Sequence, residues 1–231
     1  MERGGAAGVP GVAGAGLVIT IPWRDWPMPD RDRSHPFPPL VLIHGMWDTP
    51  GVFDPLKRQL AGRRGPLLIP HLPHRFGLTP IAVQAGLLAT HIDASFGQEQ
   101  PIDLLGFSMG GVIARAWIQL LGGHRRTRRL ISVGSPQQGT LTAGPWPRWP
   151  LAGIADLKTG SPLLQRLNAD LTTLQTVDCC SFYCEPDLMV MPAWRAVLPI
   201  GPGKKLPVRY HHQLLSHPAA LEALVDELLR P

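Results

Sequence analysis

The stretch PIDLLGFSMGGVIARAWIQLL, residues 101–121, changes its hydrophobic period at a single serine. Before that serine, Ile102, Leu104 and Leu105 form a short apolar run that is typical of a buried strand. After it, apolar residues recur at three- and four-residue intervals, which predicts a helix: Val112, Ile113, Ala116, Trp117 and Leu120. Ser108 is therefore predicted to lie on a tight strand-to-helix turn.

Glycines flank this serine symmetrically. Gly106 and Gly110 stand two residues before and after Ser108, and their missing side chains would let strand and helix close tightly. The pattern fits the GxSxG nucleophile elbow, which raises a serine hydroxyl to the open end of a parallel sheet. A glycine-rich turn with a solvent-facing serine is the alternative. The elbow interpretation predicts an oxyanion-hole glycine upstream, then an acid and a histidine downstream.

Apolar strand-like segments alternate with helical ones along most of the chain. Strands are predicted at residues 40–43, 65–73, 102–105, 130–133 and 176–184, and helices at 51–63, 79–97, 111–121 and 217–229. This alternation predicts an α/β fold, a doubly wound and mostly parallel central sheet with helices on both faces. Residues 35–231 form that domain, and residues 1–34, rich in Gly, Pro and charges, are predicted to be an N-terminal extension or a first edge strand.

The alternation breaks over residues 136–176. Trp146 and Trp149 stand there among three prolines, and a helical segment with Leu163 and Leu164 follows. Because this insertion follows a sheet strand on the side of the nucleophile, we expect a short lid or pocket wall. A packing helix with a proline-stiffened loop is the alternative.

Composition excludes several classes of function. The chain has 231 residues, 44% of them apolar and 17% charged, which is typical of one folded domain, and a net charge of only +5. Its densest basic run, residues 125–129, follows a predicted helix and is expected to complement the helix dipole, with anionic lipid headgroups as the alternative partner. Stacking aromatic residues do not alternate with these arginines, so we expect no nucleic-acid partner.

The three cysteines, Cys179, Cys180 and Cys184, share one predicted strand. Their odd number predicts no disulfide framework, and without matching histidine spacing they make poor zinc ligands. The N-terminal residues make a weak signal peptide, and no stretch reaches the roughly 18 to 20 apolar residues of a membrane span. We therefore expect a cytoplasmic protein without a metal or organic cofactor.

The dipeptide His44-Gly45 at the exit of the first strand meets the upstream expectation. The backbone amides of Met46 and Met109 could pair as two donors to a developing oxyanion. His44 is expected to be structural rather than a catalytic base, because it precedes the nucleophile at a position where loop shape matters.

Downstream, an acid and several histidines follow in the expected order. Asp187 is preferred over Glu185 as the acid because it begins a loop anchored by apolar residues. His211, His212 and His217 are three candidates for the base that would accept the proton of Ser108. From the residues alone, the choice among these histidines stays open.

Six segments of the chain resemble segments of one known protein family. They are LVLIHGMWD, DLLGFSMGGVIAR, LISVGSPQQGT, DLKTGSPLLQRLN, EPDLMVMP and HHQLLSHP. Over residues 38–231 the chain resembles the α/β-hydrolase superfamily, and within it the bacterial lipase and esterase group. The resemblance implies a carboxylic ester hydrolase that acts on small-molecule or lipid esters. Trp146, Trp149 and the arginines are compatible with transient contact with a membrane surface. An acyltransferase, a thioesterase, or a catalytically silent scaffold of the same fold are the alternatives.

Carried over by position, the resemblance implies Ser108 as nucleophile, Asp187 as acid and His211 as base. Tyr210 replaces the glycine usual before the family's histidine, so His212 and His217 remain alternative bases. Phe107 stands where lipases commonly have histidine, and the lid segment is short. Phe107 weakens the interpretation as a true lipase, and the short lid favours small or medium esters over bulky triglycerides.

Overall fold

The computed structural model describes residues 37–231. Within this range the central sheet has six strands: β1 Leu40–Ile43, β2 Leu67–Leu68, β3 Ile102–Phe107, β4 Thr127–Val133, β5 Asp178–Tyr183 and β6 Gly203–Lys205. Their order across the sheet is β2-β1-β3-β4-β5-β6, and every neighbouring pair is parallel. The predicted parallel α/β fold is confirmed. The prediction for residues 1–34 lies outside the described residues.

Helices cover both faces of this sheet. They are α1 Asp54–Leu60, α2 Ile81–Phe96, α3 Met109–Leu120, α4 Ala152–Asp156, α5 Pro162–Ala169 and α6 Pro218–Leu228. Successive strand residues point to opposite faces, so Val41 and Ile43 pack with α2 and α3, whereas Leu40 and Leu42 pack with α1 and α6. Two buried apolar layers result, one on each side of the sheet, and the strand ends are left free to carry polar groups.

Strand β6 was not predicted. Its three residues, Gly-Lys-Lys, are exposed and carry no apolar alternation, so no periodicity marks them as a strand. Residues 181–183 of β5 supply the parallel partner, which means that tertiary pairing rather than local propensity forms this edge.

The basic run after α3 differs from its prediction. Arg126 is buried and donates to Asp93 and to backbone carbonyls, while Arg128 and Arg129 lie within β4 and pair with Asp103 and Asp178. These side chains therefore hold the amino ends of the strands together. They are not free at the end of α3 to complement its dipole or to meet lipid headgroups.

The insertion predicted as a lid contains α4 and α5. Leu164 on α5 is buried in the apolar layer beside α3, and Arg115 of α3 donates to the carbonyl of Leu167 and the side chain of Asn168. The side chain of Leu164 packs into the core, and its role as a pocket wall stays a prediction. Leu163 is only partly buried at the margin of the same layer.

Among residues 37–231, no helix combines the length and the hydropathy needed to cross a membrane.

Candidate active site

Ser108 stands between β3 and α3 in a strained conformation. Its φ of 53° and ψ of −126° lie in a region that non-glycine residues rarely occupy, and such strain is concentrated at functional sites. A Cβ on Gly110 would lie 2.1 Å from the carbonyl oxygen of Ile43, and one on Gly106 would lie 2.4 Å from the Cα of Gly111. Both glycines are therefore required for the close approach of strand and helix that presents this serine.

Asp187 lies on the loop after β5, and its carboxylate is fixed from two sides. Oδ1 accepts hydrogen bonds from the backbone N–H groups of Met189 at 2.8 Å and Val190 at 3.1 Å. Oδ2 accepts one from Nδ1 of His211 at 2.7 Å. The side chain of Asp187 is only 1% exposed, so this charge is held away from water and aimed at the imidazole.

His211 lies over the carboxyl ends of β3 and β4. Its ring centroid is 4.9 Å from that of Phe107, and its Cε1 is 3.0 Å from the position of a Cβ on Gly134. Because Nδ1 donates to Asp187, the neutral ring leaves Nε2 as the proton acceptor. Nε2 is buried and has no hydrogen-bond partner among residues 37–231. The backbone N–H of Ser108 donates to Val133, which precedes Gly134, so the serine and this ring share one corner of the sheet.

The other candidates for acid and base lie elsewhere. His212 is exposed and its ring stacks on that of Tyr210, and Nδ1 of His217 accepts from the backbone of Ala219 at the start of α6. Glu185 forms an exposed ion pair with Lys205 at 2.5 Å. The structure brings none of the three to Asp187.

The loop after β1 presents backbone donors to the serine. His44 is buried, its Nε2 accepts from the backbone N–H of Leu72 at 3.0 Å, and its Nδ1 consequently carries the proton that it donates to the carbonyl of Gly45 at 2.9 Å. Burial is the main cause of a lowered pKa for His44, in keeping with a neutral, structural ring. A Cβ on Gly45 would lie 2.8 Å from the Cβ of Ser108, so this loop passes directly beside the nucleophile.

The two predicted oxyanion donors are unengaged. Among the described residues, the backbone N–H of Met46 has no acceptor. Met109 is the first residue of α3, where a backbone N–H has no partner within the helix. Met109 follows Ser108 directly and Met46 follows Gly45, which lies beside Ser108, so both N–H groups stay candidates for donors to a bound oxygen.

Sequence reasoning missed two groups at this site, Cys184 and Asp48. The thiol of Cys184 is buried 3.8 Å from Oδ2 of Asp187, and burial together with that charge raises its pKa to about 12, so it remains a neutral donor. The carboxylate of Asp48 lies beside Gly45. Proximity in sequence was the only available signal, because each lies within three residues of a predicted site residue.

Exposed apolar side chains surround the mouth of the site. Most of those with large exposed surfaces stand on loops that leave the carboxyl ends of β1, β2, β4 and β5: Trp47, Phe76, Leu78, Leu141, Trp146, Trp149, Leu188, Met189, Met191 and Trp194. We call this set the apolar rim. Trp149, at 86% exposed, protrudes furthest.

Several solved structures share the fold of this chain. The mature lipase BlEst2 of Bacillus licheniformis superimposes with a TM-score of 0.66 at 15% identity, covering 87% of this chain and 95% of its own. The fold is that of the α/β-hydrolases. MGS-MChE2, an α/β-hydrolase enzyme from a lagoon-sediment metagenome of Mar Chica, Morocco, gives 0.62 at 20% identity, with 84% and 91% covered. Aspergillus fumigatus lipase B gives 0.69 at 17% identity, with 84% and 53% covered.

Sequence comparison adds a narrower likeness. The sequence model of the palmitoyl protein thioesterase family matches residues 73–183, a little less than half of the chain. That range includes Ser108 and its elbow and ends before Asp187 and His211. A search of curated proteins finds no match.

Proposed function

We propose that this α/β-hydrolase is a serine hydrolase that cleaves carboxylic esters through an acyl-enzyme on Ser108. The observation that carries the proposal is the hydrogen bond from His211 to the buried Asp187, with the other imidazole nitrogen unpartnered at the corner of the sheet where Ser108 is presented. A nucleophile, a base and a group that orients the base are the minimum set for this chemistry.

The proposed reaction has two acyl-transfer steps. A serine hydroxyl is a weak nucleophile at neutral pH, so Nε2 of His211 removes its proton as the oxygen attacks the ester carbonyl. The N–H groups of Met46 and Met109 donate to the resulting oxyanion, each contributing about 3–4 kcal/mol. His211 then gives the proton to the departing alcohol, and water repeats the sequence on the acyl-enzyme.

Asp187 would act through His211 in both steps. Its Oδ2 holds the proton on Nδ1, which fixes the tautomer, and its charge stabilises the imidazolium that forms when Ser108 is deprotonated. The two backbone N–H groups on Oδ1 keep the carboxylate in place. These steps require no metal or organic cofactor.

Thioesters are the second candidate substrate class. The likeness to palmitoyl protein thioesterases across the elbow supports it, and a thiol leaving group needs the same serine, base and oxyanion donors. An acyltransferase would also retain them, and would differ only in the acceptor that replaces water. Comparing ester and thioester hydrolysis with transfer to added alcohols would distinguish these three activities.

The test of the function is covalent labelling with a fluorophosphonate probe, followed by peptide mapping. We expect the label on Ser108, and hydrolysis of p-nitrophenyl esters that is highest for short or medium acyl chains. Ser108→Ala should abolish both. Ser95→Ala, on the exposed side of α2, is the matched control and should change neither. Absence of labelling on the folded wild-type chain would favour a catalytically silent scaffold.

The apolar rim supports transient contact with a membrane surface during substrate capture. Trp146 and Trp149 are exposed on the segment predicted as a lid, and the exposed Arg148 between them adds a positive charge. We expect the double variant Trp146→Ala and Trp149→Ala to lose most binding to phosphatidylglycerol vesicles. Leu121→Ala, exposed at the far end of α3, should keep it, and equal binding by all three proteins would contradict the idea.

A further inference from the structure

A second carboxylate stands beside the nucleophile. Asp48 lies two residues beyond the oxyanion donor Met46, in the loop after β1. Its Oδ2 is 2.7 Å, and the Cβ of Ser108 is 2.8 Å, from the point where a Cβ on Gly45 would stand. The carboxylate and the serine therefore flank the same point, and Asp48 is close enough for its charge to act on a bound substrate.

The carboxylate of Asp48 has no lysine or arginine partner in the described part of the chain. Among residues 37–231, Asp48 forms no ion pair with lysine or arginine, whereas Asp54, Asp93, Asp103 and Asp178 each do. The ordinary pKa of an aspartate lies about three units below neutral pH, so we infer that Asp48 is ionised there. The site consequently contains one negative charge beyond that of Asp187.

The groups that face Asp48 modify this charge without removing it. Burial is the largest influence and raises the pKa of Asp48, while His211, the backbone of Gly45 and His74 oppose that shift. His74 lies on the loop after β2, and its ring is 6.4 Å from that of His44, which stacks on His71. Among the described residues, His211 and His74 are the titratable groups whose charges act on this carboxylate.

The triad itself does not require a second carboxylate. The acid of the triad is already supplied by Asp187, and a negative charge near the oxyanion opposes its formation. A fixed charge next to the reacting carbon does discriminate among substrates, because it repels an anionic group and attracts a cationic one.

We propose that Asp48 is a specificity-determining residue that favours substrates with neutral or cationic groups next to the scissile carbonyl over substrates with anionic groups there. The inference rests on the proposed function, because it concerns the same reaction at Ser108. At the separations available in a partly exposed site, one unit charge alters kcat/KM by about tenfold for each change of substrate charge.

The experiment uses three thioesters with one acyl group and different charges. They are the butyryl thioesters of thiocholine, 2-mercaptoethanol and 2-mercaptoethanesulfonate, which are cationic, neutral and anionic, and a thiol reagent detects every product. For the wild-type protein we expect kcat/KM to fall in that order. In Asp48→Asn the ratio of cationic to anionic kcat/KM, which spans two units of substrate charge, should fall by about a hundredfold.

Two further variants make the result decisive. Asp54→Asn removes an exposed carboxylate paired with Lys57 on α1, and it should leave the wild-type ratio unchanged. Asp48→Ser removes the charge with a smaller side chain, and it replaces Asp48→Asn if circular dichroism shows that the amide variant does not fold. We expect the same fall in the ratio of cationic to anionic kcat/KM for Asp48→Ser.

Three results would overturn the inference. One is a ratio in folded Asp48 variants equal to that of the wild type. Another is an equal loss of kcat/KM for all three thioesters, which would mean that Asp48 only stabilises the imidazolium of His211. The third is a wild-type preference for the anionic thioester. If Ser108→Ala retained the wild-type turnover, the proposed function itself would fail, and that outcome is distinct from the other three.

Discussion

The aspartates at the two ends of the sheet differ in their partners. At the amino end, Asp103 of β3 accepts from Arg64 and Arg128, and Asp178 of β5 accepts from Arg129 and Arg230. Every one of these carboxylates has two basic partners. At the carboxyl end, Asp187 is paired only with an imidazole, and Asp48 has no basic partner among the described residues.

Strained backbone conformations are also found at the carboxyl end of the sheet. Ser108 and Trp47 have positive φ angles of 53° and 65°, and both lie in segments that leave the carboxyl ends of strands. Large apolar side chains are exposed on these loops, whereas the amino end buries its arginines. The comparison teaches that stability is concentrated where the charges are paired, and that strain and unbalanced charge are tolerated where chemistry is proposed.

The largest expected effect is on activity at the carboxyl end. Asp187→Asn should lower kcat by about 10³–10⁴-fold, because the amide still accepts from the backbone of Met189 and Val190 but no longer fixes the tautomer of His211. Steady-state kinetics of ester hydrolysis measure this change in kcat. Glu185→Gln, two residues away in an exposed pair, is the control and should retain wild-type kcat. Equal losses in the two variants would place Asp187 outside the catalytic machinery.

At the amino end the expected effect is on stability. Asp103→Asn leaves Arg64 and Arg128 buried without their common partner, and burial already lowers the pKa of Arg64 while Asp103 opposes that shift. We expect the free energy of unfolding in urea to fall by about 3–5 kcal/mol, with kcat/KM of the folded protein retained. The exposed pair of Asp54 and Lys57 is the reference, where Asp54→Asn should cost less than about 1 kcal/mol. A loss of activity without a loss of stability would contradict the division between the two ends.

The smallest expected effect links charge and stability at Asp48. Burial raises the pKa of Asp48 above the ordinary 3.8. The folded chain therefore binds the carboxyl proton of Asp48 more tightly than the unfolded chain does. The contribution of this group to stability is therefore greatest below pH 3.8 and falls as the pH rises through the higher folded value.

Asp48→Asn removes this titration. The variant should consequently have a Tm higher than the wild type by about 1 °C near pH 7, and the difference should shrink as the pH is lowered towards 4. Differential scanning calorimetry across this range measures it, with Asp54→Asn as the control. A lower Tm for Asp48→Asn at neutral pH would mean that the carboxylate stabilises the fold.

Much of the fold could be predicted because its signals are local. Residues 40–43 form β1 as predicted, and the helix predicted over 79–97 is observed as α2 at Ile81–Phe96. Strand β6 escaped prediction because an exposed Gly-Lys-Lys segment becomes a strand only by pairing with β5. The basic run was misinterpreted for a similar reason, since its carboxylate partners come from α2, β3 and β5.

The sequence by itself determined the elbow around Ser108, because two glycines, a strand period and a helix period lie within twenty-one consecutive residues. It also narrowed the acid and the base to a few candidates in the order that the fold requires. The resemblance to a known family then singled out Asp187 and His211. Only the tertiary structure showed the hydrogen bond between them and the position of Asp48 beside the serine. The physical reason is that hydrophobic period is encoded along the chain, whereas the partner of a charge is set by which strand ends and loops the sheet brings together.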